Sequence, residues 1–98
     1  MSDEQHGYLV AYDITDDTRR AHIVKLLKSH GERLQYSVFL LRIRPAKILR
    51  LQSGIESIID RRDDAVLICD LGRSDATRQT MTFIGRRSYA DTVIPTVI

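Results

Sequence analysis

A lone carboxylate at the end of an apolar run is the first residue in this chain that could do chemistry. In Gly7-Tyr8-Leu9-Val10-Ala11-Tyr12-Asp13-Ile14, Asp13 lies between Tyr12 and Ile14, where an apolar residue is the default. A carboxylate there needs hydrogen bonds, a cation or exposure to offset its desolvation. A strand-end aspartate can also simply cap the turn that follows, and residue type alone leaves both roles open. The basic residues are the second signal. Twelve are Arg and three are Lys, partly paired as Arg19-Arg20, Arg42 with Arg44, Arg61-Arg62 and Arg86-Arg87. Guanidinium is a planar fork that grips phosphate through two donors, whereas ammonium is a point charge. A genome rich in Arg codons would produce the same excess, so the bias supports phosphate binding without establishing it.

Other constellations carry less. The net charge of +2 is no argument for nucleic acid. Tyr8, Tyr12, Tyr36 and Phe39 could stack on bases, but aromatic rings on strands are more often core. His6 and His30 have no metal-ligand spacing with each other or with Cys69. There is no Gly-rich phosphate loop, no Cys-x-x-Cys and no nucleophile elbow.

The elements that must position these residues follow from hydrophobic periodicity. Residues 7–14 read as a buried strand bounded by Gly7 and by Thr15-Asp16-Asp17. Thr15 or Asp16 can cap a helix over residues 18–30, and acidic residues suit the positive end of its dipole. Ala21, Ile23, Val24, Leu26 and Leu27 share one face of that helix, and Gly31 is a natural stop. Residues 33–44 have strand character, with no Gly or Asn to decide between one long strand and two short ones. Pro45 suits the first turn of a second helix with Ile48, Leu51, Ile55, Ile58 and Ile59 as its stripe. Gly54 weakens it by up to roughly 1 kcal/mol relative to Ala. After the charged turn at 60–64, residues 65–71 read as another buried strand. A polar loop follows, then short strand-like pieces at 81–84 and 92–98. If 33–44 folds back on itself, the order is βαββαβ, an α+β arrangement of the ferredoxin-like kind. The tail from Thr92 to Ile98 is too apolar to hang free, and Pro95 confines it to an edge, either added to a partner subunit's sheet or packed on its own subunit.

Ninety-eight residues make one domain. An apolar fraction of 43% supports a core without disulfides. The single Cys69, inside Ala65-Val66-Leu67-Ile68-Cys69, reads as a buried thiol in a reducing compartment. The polar, acidic start Met1-Ser2-Asp3-Glu4-Gln5-His6 does not resemble a signal peptide, and no apolar stretch approaches membrane-spanning length, so a cytoplasmic protein is expected.

The segment Tyr12-Asp13-Ile14-Thr15-Asp16-Asp17-Thr18-Arg19-Arg20, followed thirteen residues later by Arg33-Leu34-Gln35-Tyr36-Ser37-Val38-Phe39, closely resembles the CRISPR-associated Cas2 family. That family shows a first strand ending in Tyr-Asp-Ile, an Arg-bearing first helix and a Gln-x-Ser-Val-Phe stretch. The resemblance spans roughly residues 8–71, and more weakly Phe83-Ile84-Gly85 and the tail. It implies a ferredoxin-like homodimer with an additional C-terminal edge strand, residues 81–98 forming an extension that pairs at the dimer interface. It also implies that the two Asp13 side chains face each other across the two-fold axis. A symmetry axis doubles every residue, two close carboxylates repel, and a bridging Mg²⁺ relieves that repulsion while keeping most of its waters.

By the same resemblance, Arg20 and Arg33, with Arg19, contact phosphates, while Tyr12, Ser37 and Phe39 shape the site and interface. Members often carry a second basic residue where this chain has His22, and histidine as a residue type is a weaker cation than lysine or arginine. The implied function is spacer acquisition with Mg²⁺-dependent endonuclease activity on RNA or double-stranded DNA. The alternatives are a non-catalytic scaffold bridging the Cas1 integrase and duplex DNA, or a toxin-like ribonuclease resembling virulence-associated protein D. A ferredoxin-like regulatory module for small molecules leaves the Arg pairs and Asp13 unexplained.

Overall fold

Strand β1 (His6–Asp13) alternates as the sequence pattern requires, with Tyr8, Val10 and Tyr12 buried on one side. A computed structural model describes the chain over residues 4–85, with Arg78 as backbone only. Helix α1 (Asp17–Lys28) begins at Asp16, whose carboxylate accepts the Arg19 N–H at 2.9 Å. Ile23 and Leu27 are wholly buried against the sheet, and the helix closes at Ser29, whose hydroxyl donates to the Leu26 carbonyl at 2.7 Å.

Residues 33–44 resolve into two strands, β2 (Gly31–Gln35) and β3 (Val38–Ile43), joined by a tight turn at Tyr36 and Ser37. Tertiary bonds hold that turn where turn residues are lacking. The Tyr12 hydroxyl donates to the Tyr36 carbonyl at 3.0 Å, and the Tyr12 N–H donates to the Ser37 carbonyl at 3.1 Å. Gly31, expected as a helix stop, is instead the first residue of β2. A Cβ at that position would lie 2.2 Å from the Leu40 carbonyl oxygen, so only glycine allows the close strand approach.

Helix α2 (Pro45–Ile58) starts on its proline and buries Ile48, Leu51 and Ile55. Strand β4 (Ala65–Arg73) follows the charged turn and runs two residues beyond its expected end. The stretch expected as a loop forms a 3₁₀ turn at Ser74–Ala76 and a one-turn helix α3 (Thr77–Thr80). Residues 81–84, expected as strand-like, are irregular. The expected strand at 92–98 lies outside the described residues.

The sheet order is β2-β3-β1-β4, and each neighbouring pair is antiparallel. Helices α1 and α2 cover one face, enclosing a core of Tyr8, Val10, Tyr12, Phe39, Leu41 and Ile55 among others. This is the ferredoxin-like α+β fold in its βαββαβ order. The other face is only partly covered. Asp13 shares it with Leu9 and Ala11 by strand alternation, and Cys69 and Leu67 stand opposite Leu9 and Ala11 in register. Thr77 seals one end by packing on Gly7. Leu67 is 61% exposed and Cys69 is exposed as well. The expectation of a buried strand with a buried Cys69 is therefore corrected: β4 is an edge strand with helices on one side only. Among the described residues, no helix is long and apolar enough to cross a membrane.

Candidate nucleic-acid interface

Asp13 ends β1 in register with Ala65 of β4 and is exposed. Exposure is thus how this carboxylate avoids the desolvation that its sequence context threatened. It lines a cavity of about 370 Å³ with Tyr12, Ile14, Arg20, Tyr36 and Ser37. Three elements converge there: the end of β1, the first turn of α1 and the β2–β3 turn.

Arg20 projects from the first turn of α1, its guanidinium oriented by a 2.7 Å bond to the Ile14 carbonyl and an ion pair with Asp17. Its side chain stays a quarter exposed. Arg20 also lines a second, adjoining groove of about 410 Å³ between α1 and β2, with Lys25, Lys28, Arg33 and Tyr36. Four cations face one carboxylate, Asp17, in that groove, a local excess that the net charge of the chain hides. Arg33 lies with its guanidinium carbon 5.4 Å from the Phe39 ring centre and 5.7 Å from that of Tyr36. Both rings lie within cation–π range of that guanidinium, whose Nε is buried without a hydrogen-bond partner among the described residues.

The structure therefore brings Tyr12, Asp13, Arg20, Arg33 and Ser37 to one region of the surface. Phe39 is wholly buried and supports Arg33 from beneath. Arg19 is engaged within the fold. Its Nε donates to Asp64 at 2.7 Å and its Nη2 donates to the same carboxylate at 3.2 Å, so this guanidinium has a buried protein partner. His22 is exposed on α1 and lines neither the groove nor the cavity.

Asp64 is the residue that sequence reasoning passed over, as one member of a charged turn. Its side chain is fully buried. Besides Arg19 it accepts the backbone N–H groups of Thr15 at 3.2 Å and Asp60 at 2.9 Å. The Arg19 bond, with these two, holds its carboxyl well below the usual carboxylate range. This one carboxylate joins the 60–64 turn to the loop that leaves Asp13. The available signal was its position, last in an acidic turn and directly before an apolar run.

Among the described residues no three His, Cys, Asp or Glu side chains gather as a metal cluster. The donor at the site is a single exposed carboxylate, a hard oxygen ligand of the kind Mg²⁺ accepts in small number. One chain supplies one such ligand.

Comparison with known proteins decides the lineage. The family profile described as "CRISPR associated protein Cas2" matches residues 6–79. The chain belongs to the Cas2 family. A relative from Rhodospirillum rubrum, named "CRISPR-associated endoribonuclease Cas2 1", is 36% identical over 85 residues, covering 87% of this chain and 83% of the relative. The crystal structure of Streptococcus pyogenes Cas2 at pH 6.5 superposes with a TM-score of 0.70 at 28% identity, covering 81% of this chain and 99% of that one. A chain of a partial Cas6-RT-Cas1–Cas2 complex superposes with a TM-score of 0.69 at 26% identity, covering 95% of this chain and 97% of that one. The region matched by the Cas2 profile takes in Asp13, Arg20, Arg33 and Ser37, and all of the described secondary structure except the last residue of α3.

Proposed function

We propose that this Cas2 family member is a metal-dependent endonuclease of CRISPR spacer acquisition, acting on RNA or double-stranded DNA from a homodimer that pairs one Asp13 from each chain. The observation that carries the reading is the position of Asp13: exposed, on the sheet face that helices leave open, in a cavity shared with Arg20. Leu67, Cys69, Ala11 and Leu9 form an apolar strip on that face across β1 and β4, and a second copy packed on it removes them from water. The name of the Rhodospirillum rubrum relative, an endoribonuclease, supports nuclease activity.

In this reading Arg20 and Arg33 hold consecutive phosphates through their guanidinium edges, and the Ile14 and Asp17 bonds keep Arg20 turned toward the cavity. Asp13 and its symmetry mate are the carboxylates that hold Mg²⁺. That ion, when bound, neutralises charge developing on the scissile phosphate. Ser37 and Tyr12 shape the wall, and Tyr12 fixes the turn that carries Tyr36.

A second reading, a scaffold that bridges the Cas1 integrase and duplex DNA, is favoured by the similarity to a chain of a Cas1–Cas2 complex. In that role the arginines matter and Asp13 is dispensable. Purified protein and its Asp13→Ala variant, assayed on short RNA and on duplex DNA with Mg²⁺ or with chelator, separate the two. The nuclease reading expects cleavage that both the variant and the chelator abolish. Cleavage that survives both points to another site or a contaminant, and no cleavage together with stable Cas1 binding supports the scaffold.

A further inference from the structure

Tyr36 is out of place for an aromatic ring in this fold. Tyr8, Tyr12 and Phe39 are buried to 6% exposure or less, whereas Tyr36 is 71% exposed. Its backbone is nevertheless rigidly held, because Tyr12 binds the carbonyls of both Tyr36 and Ser37. The Arg33 guanidinium lies near both this ring and that of Phe39, so the exposed ring adjoins a cation that a core aromatic also contacts. A ring held out in water on a fixed turn contributes little to the core. It is well suited to a flat partner.

Tyr36 also stands where the two depressions meet. With Arg20 and Tyr12 it lines both the cationic groove between α1 and β2 and the cavity that contains Asp13. A strand lying along the groove would therefore pass Tyr36 on its way to the carboxylate. We infer that Tyr36 is a stacking platform that takes one unpaired nucleobase, with the adjoining phosphate on Arg20. A base inside a duplex already has neighbours on both faces and cannot offer one to a side chain, whereas an unpaired base can. The site thus discriminates by strand state. The unpaired nucleotide comes either from a single strand or from a frayed or overhanging duplex end, and both present the same π-face. This inference rests on the nucleic-acid reading above and adds the residue that sets which form is bound.

The test measures binding, in chelator so that no cleavage intervenes, using short oligonucleotides with 2-aminopurine at successive positions. The probes are single-stranded RNA, single-stranded DNA, blunt duplex DNA and duplex DNA with an overhang. For single strands, Tyr36→Ala is expected to weaken binding by about 5- to 100-fold, to abolish the quenching of one 2-aminopurine position and to leave the salt slope unchanged. Tyr36→Phe is expected to behave like the parent, and blunt duplex binding is expected to be unaffected. An overhang bound as tightly as a single strand identifies the frayed end as a second source of the same ligand, and preference for the single strand identifies the free strand. Unchanged single-strand binding by Tyr36→Ala overturns the inference alone, as does an equal loss for blunt duplex. A change of oligomeric state in Tyr36→Ala also overturns it, because the ring is then an interface anchor. A parent protein that binds none of the probes overturns the proposed function and this inference with it.

Discussion

Arg19 and Arg20 are neighbours in sequence with opposite employment. Arg19 turns inward to a buried carboxylate, while Arg20 faces the cavity beside Asp13, and nothing in the pair Arg19-Arg20 distinguishes them before the fold is known. The difference predicts separable phenotypes. Arg20→Ala or Arg33→Ala should weaken nucleic-acid binding across sequences and lower the salt slope by about one unit each. Titrations at several salt concentrations check this, and an unchanged slope would remove that residue from the phosphate contacts. Arg19→Ala should instead act on the fold. Its partner Asp64 has a folded-state pKa held below the ordinary carboxylate value, chiefly by the Arg19 bond. A depressed folded value means that the ionised form contributes stability above the unfolded value, near pH 4. That contribution is lost as pH falls below it toward the folded value. Thermal melts across the acidic range should therefore show Asp64→Asn less stable than the parent near neutrality, the gap narrowing steadily below about pH 4. A gap that persists unchanged in acid would mean that the Asp64 charge contributes nothing.

At the scale of elements, two glycines make opposite predictions. Gly54 sits inside α2 where an added Cβ would meet Leu26 at 3.5 Å, an ordinary contact. Gly54→Ala should raise stability by up to about 1 kcal/mol, whereas Gly31→Ala should lower it, because the new methyl collides with the Leu40 carbonyl. Denaturant melts of both variants decide the signs. The same elements show what the sequence could and could not reveal. Helices α1 and α2 announce themselves by period, capping aspartate and proline. The β2–β3 turn does not, because Tyr36-Ser37 has no turn chemistry of its own and is held by Tyr12, more than twenty residues upstream. Gly31 reads as a helix stop by local rules, yet its role depends on the backbone of a strand not yet paired with it. The residues of β4 look buried in a linear reading because apolar content does not say how many faces of a strand are covered.

For the whole molecule, Asp13, Arg20 and Arg33 were legible from motif and residue type, whereas the convergence of Arg20, Arg33 and Tyr36 on one surface was not. It depends on α1 lying beside the β2–β3 turn. The open face explains the apolar exposure of Leu67 and Cys69 as well as the position of Asp13, and a symmetric dimer through that face accounts for them together. In the dimer proposed above, each carboxylate would be half of a metal site. Its most direct test is the stoichiometry of divalent metal binding, with Mn²⁺ as the spectroscopic stand-in for Mg²⁺. Electron paramagnetic resonance titration of protein at known oligomeric state should show one tight ion per two chains, and Asp13→Ala should abolish it while the dimer persists. One ion per chain, or tight binding that survives Asp13→Ala, would contradict the paired-aspartate site.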